Sequence, residues 1–387
     1  TLKASYSLTA DRGPADVTNS QAIITSYSPY RPFTSIQESG LYIKELENSE
    51  LTYEKKHELN IGADMGFLNN RINLAVDWYK RNNYDLIGIV NTQGAGGQIL
   101  KYANIASMKS HGIEFTLSTK NIKTKDFNWN TDFIFSNAKN EVTDLKQNAN
   151  VMELISGNGF AKQGYPVRGL FSIPFVGLDK DGIPVIINEK GEATSTDINF
   201  QERQNTGFLK YEGPTDPTIT GSLGNMFSYK GFRLNLFITY SFGNVIRLNP
   251  VFKAYYSDLT AMTREFKNRW TLPGDEAKTN VPAILSKRMY DSNEDLKYAY
   301  NAYNYSTERI AKGDFIRLKE ISLAYDFPKA WINPLKLTDL SLKVQATNLF
   351  LIYADDKLNG QDPEFFNAGG VASPVPRQFT ITLRLGL

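Results

Sequence analysis

Between Tyr229 and Gly243 the residues Phe232, Leu234, Leu236, Ile238, Tyr240 and Phe242 alternate with Arg233, Asn235, Phe237, Thr239, Ser241 and Gly243. The pattern returns at the end of the chain, where Phe379, Ile381, Leu383, Leu385 and Leu387 alternate with Gln378, Thr380, Thr382, Arg384 and Gly386. Successive side chains of a strand point to opposite faces, so each segment presents one apolar face and one that is mostly polar or small. A membrane-crossing barrel strand needs about 9 to 11 such residues, with the apolar set on lipid and the other set on a wet interior. Both segments fit that length.

The bulk properties leave this reading open and close others. A chain of 387 residues would by length alone make about two or three soluble domains. No apolar run approaches the roughly 18 residues of a membrane helix, and the mean hydropathy is −0.37. A helical membrane protein is thereby excluded, whereas a barrel, whose hydrophobicity is diluted by alternation, is not. A net charge of +2 gives no sign of the basic stripe of a nucleic-acid binder. Cysteine is absent, which removes disulfide frameworks and thiolate metal sites. Thr1 opens directly onto Leu2, Ala4, Tyr6, Leu8 and Ala10 in strand alternation, with no initiator Met and no signal-peptide pattern. The chain reads as a fragment beginning inside a strand.

Further alternating sets run through His57, Leu59, Ile61, Ala63, Met65 and Phe67, then, after a turn at Asn69 and Asn70, through Ile72, Leu74, Val76 and Trp78. Ile113, Phe115 and Leu117 precede a turn from Lys120 to Lys125 and a strand through Phe127, Trp129, Thr131, Phe133 and Phe135. Ile219 to Tyr229 turns at Lys230 and Gly231 into the segment that opened this section. Ile321, Leu323, Tyr325 and Phe327 lead through a turn from Pro328 to Pro334 to Leu340, Leu342, Val344 and Ala346. With the first and last strands this predicts about ten spans. Their connections are short at one end, while the expected long loops cover residues 11 to 52, 88 to 107, 142 to 215, 247 to 312 and 354 to 376. Outer-membrane barrels have this rhythm, with tight periplasmic turns and extended outer loops. The rival is a soluble all-β sandwich or propeller, which also alternates, but sandwich turns come about every 8 to 12 residues without the long-short rhythm. Within the long loops, Leu259, Met262, Phe266 and Trp270 after Ser257 and Asp258 predict a short surface helix, and Gly169 to Asn188 predicts a hairpin turning at Asp181 and Gly182.

Several of these segments resemble, in register, the SusC-like TonB-dependent transporters of the Gram-negative outer membrane. Residues 216 to 244, DPTITGSLGNMFSYKGFRLNLFITYSFGN, look like that family's strand, YKG turn and strand. Trp270, Thr271, Pro273, Gly274 and Asp275 look like its W-T-x-P-G-D outer loop. GDFIRLKEISLAYDFP, residues 313 to 328, resembles its R-L-K strand, and residues 344 to 364, VQATNLFLIYADDKLNGQDPE, resemble an N-L-F strand end and D-P-E loop. Leu387 departs from the terminal Phe common in outer-membrane strands but keeps the last residue apolar.

The resemblance implies an all-β fold, a transmembrane antiparallel β-barrel of about 22 strands, of which residues 1 to 387 would be the C-terminal portion. It implies a plug domain and a TonB-contacting segment upstream, the remaining barrel strands as a further partner, and a SusD-like surface lipoprotein as lid. The implied activity is import of oligosaccharides or oligopeptides across the outer membrane, in contact with membrane lipid and lipopolysaccharide, with no cofactor and no nucleic acid. A passive porin, or a stand-alone receptor for a smaller ligand, is the alternative. An outer-membrane hydrolase is the enzyme hypothesis, and no Ser, His and carboxylate set supports it.

Candidate chemistry is sparse. His57 and His111 are the only histidines and lack partners at metal-ligand spacing, which points to barrel-rim positions. Asp179, Asp181 and Gly182 read as a hairpin turn, lacking the downstream Glu of a calcium loop. The run Gly94, Ala95, Gly96 and Gly97 lacks the Lys-Ser/Thr pair of a phosphate loop and reads as a flexible outer tip. Arg233, Lys3, Lys343, Arg384, Asp64, Asp132 and Glu114 fall on the inward face, where unlike charges can pair across strands. Tyr255, Tyr256, Trp270, Tyr290, Tyr298, Tyr300, Tyr303 and Tyr305 crowd one long loop. Aromatic faces stack on sugars and on peptide side chains, so Tyr255, Tyr256, Trp270, Tyr298, Tyr300 and Tyr303 are the candidate substrate contacts. Loop-core packing and an interfacial girdle are the other uses of such residues.

Overall fold

The computed structural model describes residues 1–13, 21–28, 39–92, 94, 100–196, 198–256, 263–293, 295–366 and 375–386. Ten strands form one antiparallel sheet: β1 (Leu2–Asp11), β2 (Glu54–Phe67), β3 (Ile72–Asn91), β4 (Leu100–Lys123), β5 (Phe127–Leu145), β6 (Ile219–Tyr229), β7 (Phe232–Phe242), β8 (Phe315–Asp326), β9 (Asp339–Ala354) and β10 (Gln378–Gly386). Each pairs only with its sequence neighbours in this sheet, so the order is that of the chain. β1 and β10 are its two edges, and the sheet is open. Among the described residues no helix is long and apolar enough to cross a membrane, which says nothing of strands.

The turns explain the pairing. Lys230 and Gly231 both have positive φ, 44° and 91°, the left-handed pair that lets a two-residue hairpin follow the twist of its strands. Tyr229 therefore faces Phe232, and the register runs unbroken to Ile219 opposite Phe242. At the β2–β3 turn Asn69 and Asn70 take φ of 55° and 61°, a conformation Asn tolerates better than most residues.

Residues directly opposite one another share a face, so register tests the alternation. Leu236 faces Ile321, which faces Ala346, which faces Phe379; Leu234, Leu323, Val344 and Ile381 form the next row. The opposite face carries Asn235, Ser322, Gln345 and Thr380 in one row and Arg233, Ala324, Lys343 and Thr382 in another. Charges on that polar face pair across strands: Lys3 lies 3.3 Å from Asp64 and 3.2 Å from Asp77, and Arg233 lies 2.8 Å from Asp326. An exception on the apolar face is Asn225, whose side-chain oxygen accepts from Trp129 Nε1 at 2.9 Å and Thr131 Oγ1 at 2.7 Å. A polar group there must be satisfied within the sheet.

Connections at residues 68–71, 124–126, 230–231 and 327–338 lie at one end, and those at 12–53, 92–99, 146–218, 243–314 and 355–377 lie at the other. The expected loop from 88 to 107 is instead largely strand. β3 and β4 stay paired out to Asn91 opposite Leu100, making strands of 20 and 24 residues. Antiparallel pairing needs only mutual backbone bonds, so it continues where the lipid ends; a membrane crossing sets only the minimum length. The hairpin expected between Gly169 and Asn188 turns at Asp181 and Gly182 as anticipated, since Asp179 Oδ1 accepts from the backbone of Asp181 and Ile183. Its arms are Phe175–Leu178 and Pro184–Ile187, whereas Gly169–Ser172 pairs with Lys210–Pro214. Ser257 to Met262, Ala95 to Gly97 and Leu387 lie outside the described residues. Downstream of the first of these, Arg264–Asn268 is a 3-10 turn that buries Phe266.

Candidate functional site

The described segments of the loops at 146–218 and 243–314 fold into an ordered cap with apolar cores of their own. One core joins Val151, Leu154 and Ile155 of the helix Val151–Ile155 to Phe171, Ile173 and Ile186. Asn150 starts that helix by accepting from Glu153 N while Glu153 accepts from Asn150 N, a reciprocal cap. A second core surrounds Tyr300 with Ile183, Ala283, Leu285 and Ala299.

Buried arginines fasten these segments. Arg247 donates to Phe171 O at 2.6 Å, Ser306 O at 2.9 Å and Ser172 Oγ at 3.1 Å, tying the segment after β7 to two others. Burial pushes its guanidinium down to about 9, opposed by Glu212, which leaves it charged at neutral pH. Arg309 meets Glu265 at 2.5 Å, and Arg317 on β8 meets Asp362 at the same distance. Sequence reading missed Arg247 and Arg309 as anchors, because an isolated Arg in a loop gives no signal of burial.

The W-T-x-P-G-D segment docks on the Asp-Gly hairpin. Ala283 N donates to Gly182 O at 3.0 Å, and a Cβ on Gly182 would fall 2.6 Å from the Trp270 ring, so the close approach requires glycine. Trp270 Nε1 donates to Glu276 at 3.0 Å. Asp275 accepts from Leu272 N, Thr271 Oγ1 and Thr271 N, and these bonds hold its carboxyl down to about 2.

The six candidate aromatics take different positions. Tyr300 and Tyr303 are 1% and 2% exposed, and Tyr256 is buried with them. Tyr300 donates to Ala283 O at 2.6 Å, Tyr303 packs on Phe252 and Phe175, and Tyr256 donates to Val251 O at 3.0 Å. Burial raises the Tyr256 phenol to about 12 and raises those of Tyr300 and Tyr303 as well, so all three stay neutral packing surfaces, and Tyr256 and Tyr300 serve as donors. Trp270 is partly buried against the Tyr300 core. Tyr255 and Tyr298 are each 42% exposed.

Tyr255 stacks on Tyr290 at 6.1 Å between centroids. Both line a cavity of about 470 Å³ with Lys253, Lys297, Asn301 and Tyr300. The cavity therefore offers aromatic faces beside cations and an amide, groups suited to a polar oligomer that also presents apolar patches. Lys253, Lys297 and Asn301 carry no sequence pattern that marks them as wall residues. Among the described residues no group of three His, Asp or Glu is placed to hold a metal.

No protein-family model matches the chain. TonB-dependent receptor P3 of Formosa agariphila is 25% identical over 94% of this chain, and TonB-dependent receptor SusC of Bacteroides thetaiotaomicron is 26% identical over 88% of it. The SusC-like resemblance is borne out. Among solved structures, the RagAB peptide transporter matches with a TM-score of 0.75 at 24% identity over 99% of this chain. Its open-open state matches with a TM-score of 0.76. The fold is thus that of a TonB-dependent transporter wall, integral to the Gram-negative outer membrane. The chain spans about a third of the curated relatives it matches, 35% and 32% of their lengths, and 40% of the RagAB chain. These relatives are receptors and transporters, in keeping with a chain that is not an enzyme.

Proposed function

We propose that residues 1 to 387 form the C-terminal portion of a TonB-dependent importer of oligosaccharides or oligopeptides, with the plug, the TonB-contacting segment and the remaining strands supplied by the rest of the protein. The observation that carries this is the asymmetry of the sheet: lipid-compatible rows in the wall, tight turns at one end, and at the other a stapled cap enclosing an aromatic cavity. Long ordered loops are usually functional. The open edges support the larger assembly, since unpaired backbone groups in hydrocarbon cost several kcal/mol each.

The cap is the docking surface for a SusD-like lipoprotein lid, which would capture an oligomer and seal it before the plug moves. Tyr255, which lines the cavity, and the exposed Tyr298 are the aromatic contacts open to substrate or lid, while Tyr300 lines the wall and Tyr256, Tyr303 and Trp270 pack in the cores behind it. The RagAB neighbour is a peptide transporter, which favours peptide as the first substrate class to test.

The test is uptake of a labelled oligopeptide and a labelled oligosaccharide by cells carrying the full receptor, with and without a protonophore, beside co-purification in mild detergent. Import that collapses when the proton gradient is lost, and a lipoprotein that copurifies, support the reading. Gradient-independent permeation of small solutes would favour a passive porin, and isolation as a lidless barrel would favour a stand-alone receptor.

A further inference from the structure

The apolar face of the sheet changes character toward the long-loop end. Row by row, Val76 faces Phe115 and Phe115 faces Phe135; then Trp78 faces Ile113 and Ile113 faces Asn137, whose amide donates to Thr218 O; then Lys80 faces His111 and His111 faces Lys139. The outward face thus passes from hydrocarbon-like to cationic within two rows. Lys80, His111 and Lys139 are all exposed, and among the described residues none of them has an ion-pair partner. The nearest carboxylate in the row above, Glu141, is taken by Lys109 at 2.9 Å.

The same level carries an aromatic belt. Leu59 continues the Lys80 row and faces Tyr6; Tyr6 OH bonds His57 Nδ1 at 2.8 Å, and the His57 ring meets Tyr84 edge-on at 5.4 Å. Aromatic residues with polar tips collect at headgroup depth. The end is the outer one because the long loops emerge there.

We infer that Lys80, His111 and Lys139 form a binding site for the phosphorylated headgroup of an acylated glycolipid of the outer leaflet, whose acyl chains lie along Trp78, Ile113 and Phe115. Neighbouring strands are about 4.8 Å apart, so the three side chains span about 10 Å. That width suits a charged sugar phosphate and exceeds what one free phosphate needs. Trp78, Ile113, Val76, Phe115 and Phe135 in the rows beneath select a lipid over a soluble anion, and the unpaired lysines select a charged headgroup over a neutral one. Charge at a membrane surface adds roughly 1 kcal/mol per lysine, about fivefold in affinity. The site rests on the barrel placement and not on import, so its failure would leave the import reading standing.

The test uses the full receptor, delipidated in detergent and titrated with lipid A, with the same lipid stripped of its phosphates, and with inorganic phosphate as competitor, read by native mass spectrometry. Lipid A should bind the unaltered protein. Its affinity should fall on the order of tenfold or more in the Lys80→Gln/Lys139→Gln variant and hold in the Lys80→Arg/Lys139→Arg variant, which also shows that the wall folds. The dephosphorylated lipid should bind as weakly as lipid A binds the glutamine variant. Equal binding of both lipids, no loss on removing the lysines, or full displacement by inorganic phosphate would each overturn the proposal.

Discussion

Arg317 Nη2 donates to both carboxylate oxygens of Asp362, at 2.5 and 2.6 Å. The two side chains are 6% and 8% exposed, so the pair is closed to water. It fastens the strand of the R-L-K motif to the loop of the D-P-E motif. Removing Arg317 leaves the Asp362 carboxylate buried and unpaired, at a cost of about 3 to 5 kcal/mol; removing Asp362 costs less, because Glu364 still meets the guanidinium at 3.2 Å. Arg317→Met and Asp362→Leu should each loosen the loop after β9, while the double variant recovers part of the loss. Proteolysis rates within residues 355–377 measure this; equal rates in all variants would count against the staple.

Lipid exposure sets the second expectation. Leu236→Arg at mid-membrane depth should cost about 2 to 4 kcal/mol, and Leu383→Arg similarly, while Asn235→Arg and Thr382→Arg on the other face should be tolerated. Heat-modifiable migration of the folded barrel reports the difference.

Much of the wall was legible because a strand's period of two writes its two faces directly into the sequence, as in Phe232 to Phe242. The Lys-Gly and Asp-Gly turns were legible for a similar reason, since positive φ restricts the residue types. The reach of β3 and β4 past the membrane was not, because Leu86 to Asn91 and Leu100 to Ala106 have no lipid to impose alternation. The cap was hidden too. Tyr298 and Tyr300 stand two residues apart in one short helix, Leu296–Asn304, yet one is exposed and the other fills a core that only the fold assembles from distant segments.

The third expectation separates those tyrosines. Tyr300→Phe removes the bond to Ala283 O and should cost about 1 kcal/mol of cap stability, without altering the cavity's aromatic face. Tyr255→Ala should weaken substrate capture and leave the cap intact. Binding titrations paired with cap proteolysis distinguish the two. Loss of binding in Tyr300→Phe alone would reverse the assignment.

A pH dependence follows from Asp275. Its carboxyl lies at about 2, below its ordinary 3.8, because Leu272 N, the Thr271 hydroxyl and Thr271 N bond the charged form. A depressed acid contributes stability that is fully present above the ordinary value and is lost as pH falls through the depressed one. The loop should therefore hold its shape at pH 5 and loosen between about pH 4 and 2. The difference in fluorescence between the unaltered protein and Trp270→Phe follows it, and Asp275→Asn should remove the transition.

The central claim, that the apolar face of this sheet meets lipid and its polar face meets a wet lumen, has a direct test. Residues 1 to 387 contain no cysteine, so single cysteines at positions 234, 235, 236, 381, 382 and 383 are the only spin-labelling sites in this segment, and any cysteine elsewhere in the full receptor is replaced before labelling in outer-membrane preparations. Labels replacing Leu234, Leu236, Ile381 and Leu383 should be relaxed by oxygen and shielded from a water-soluble nickel chelate, and those replacing Asn235 and Thr382 should show the reverse. Chelate access at the leucine positions, or uniform access at all of them, would contradict a lipid-facing wall.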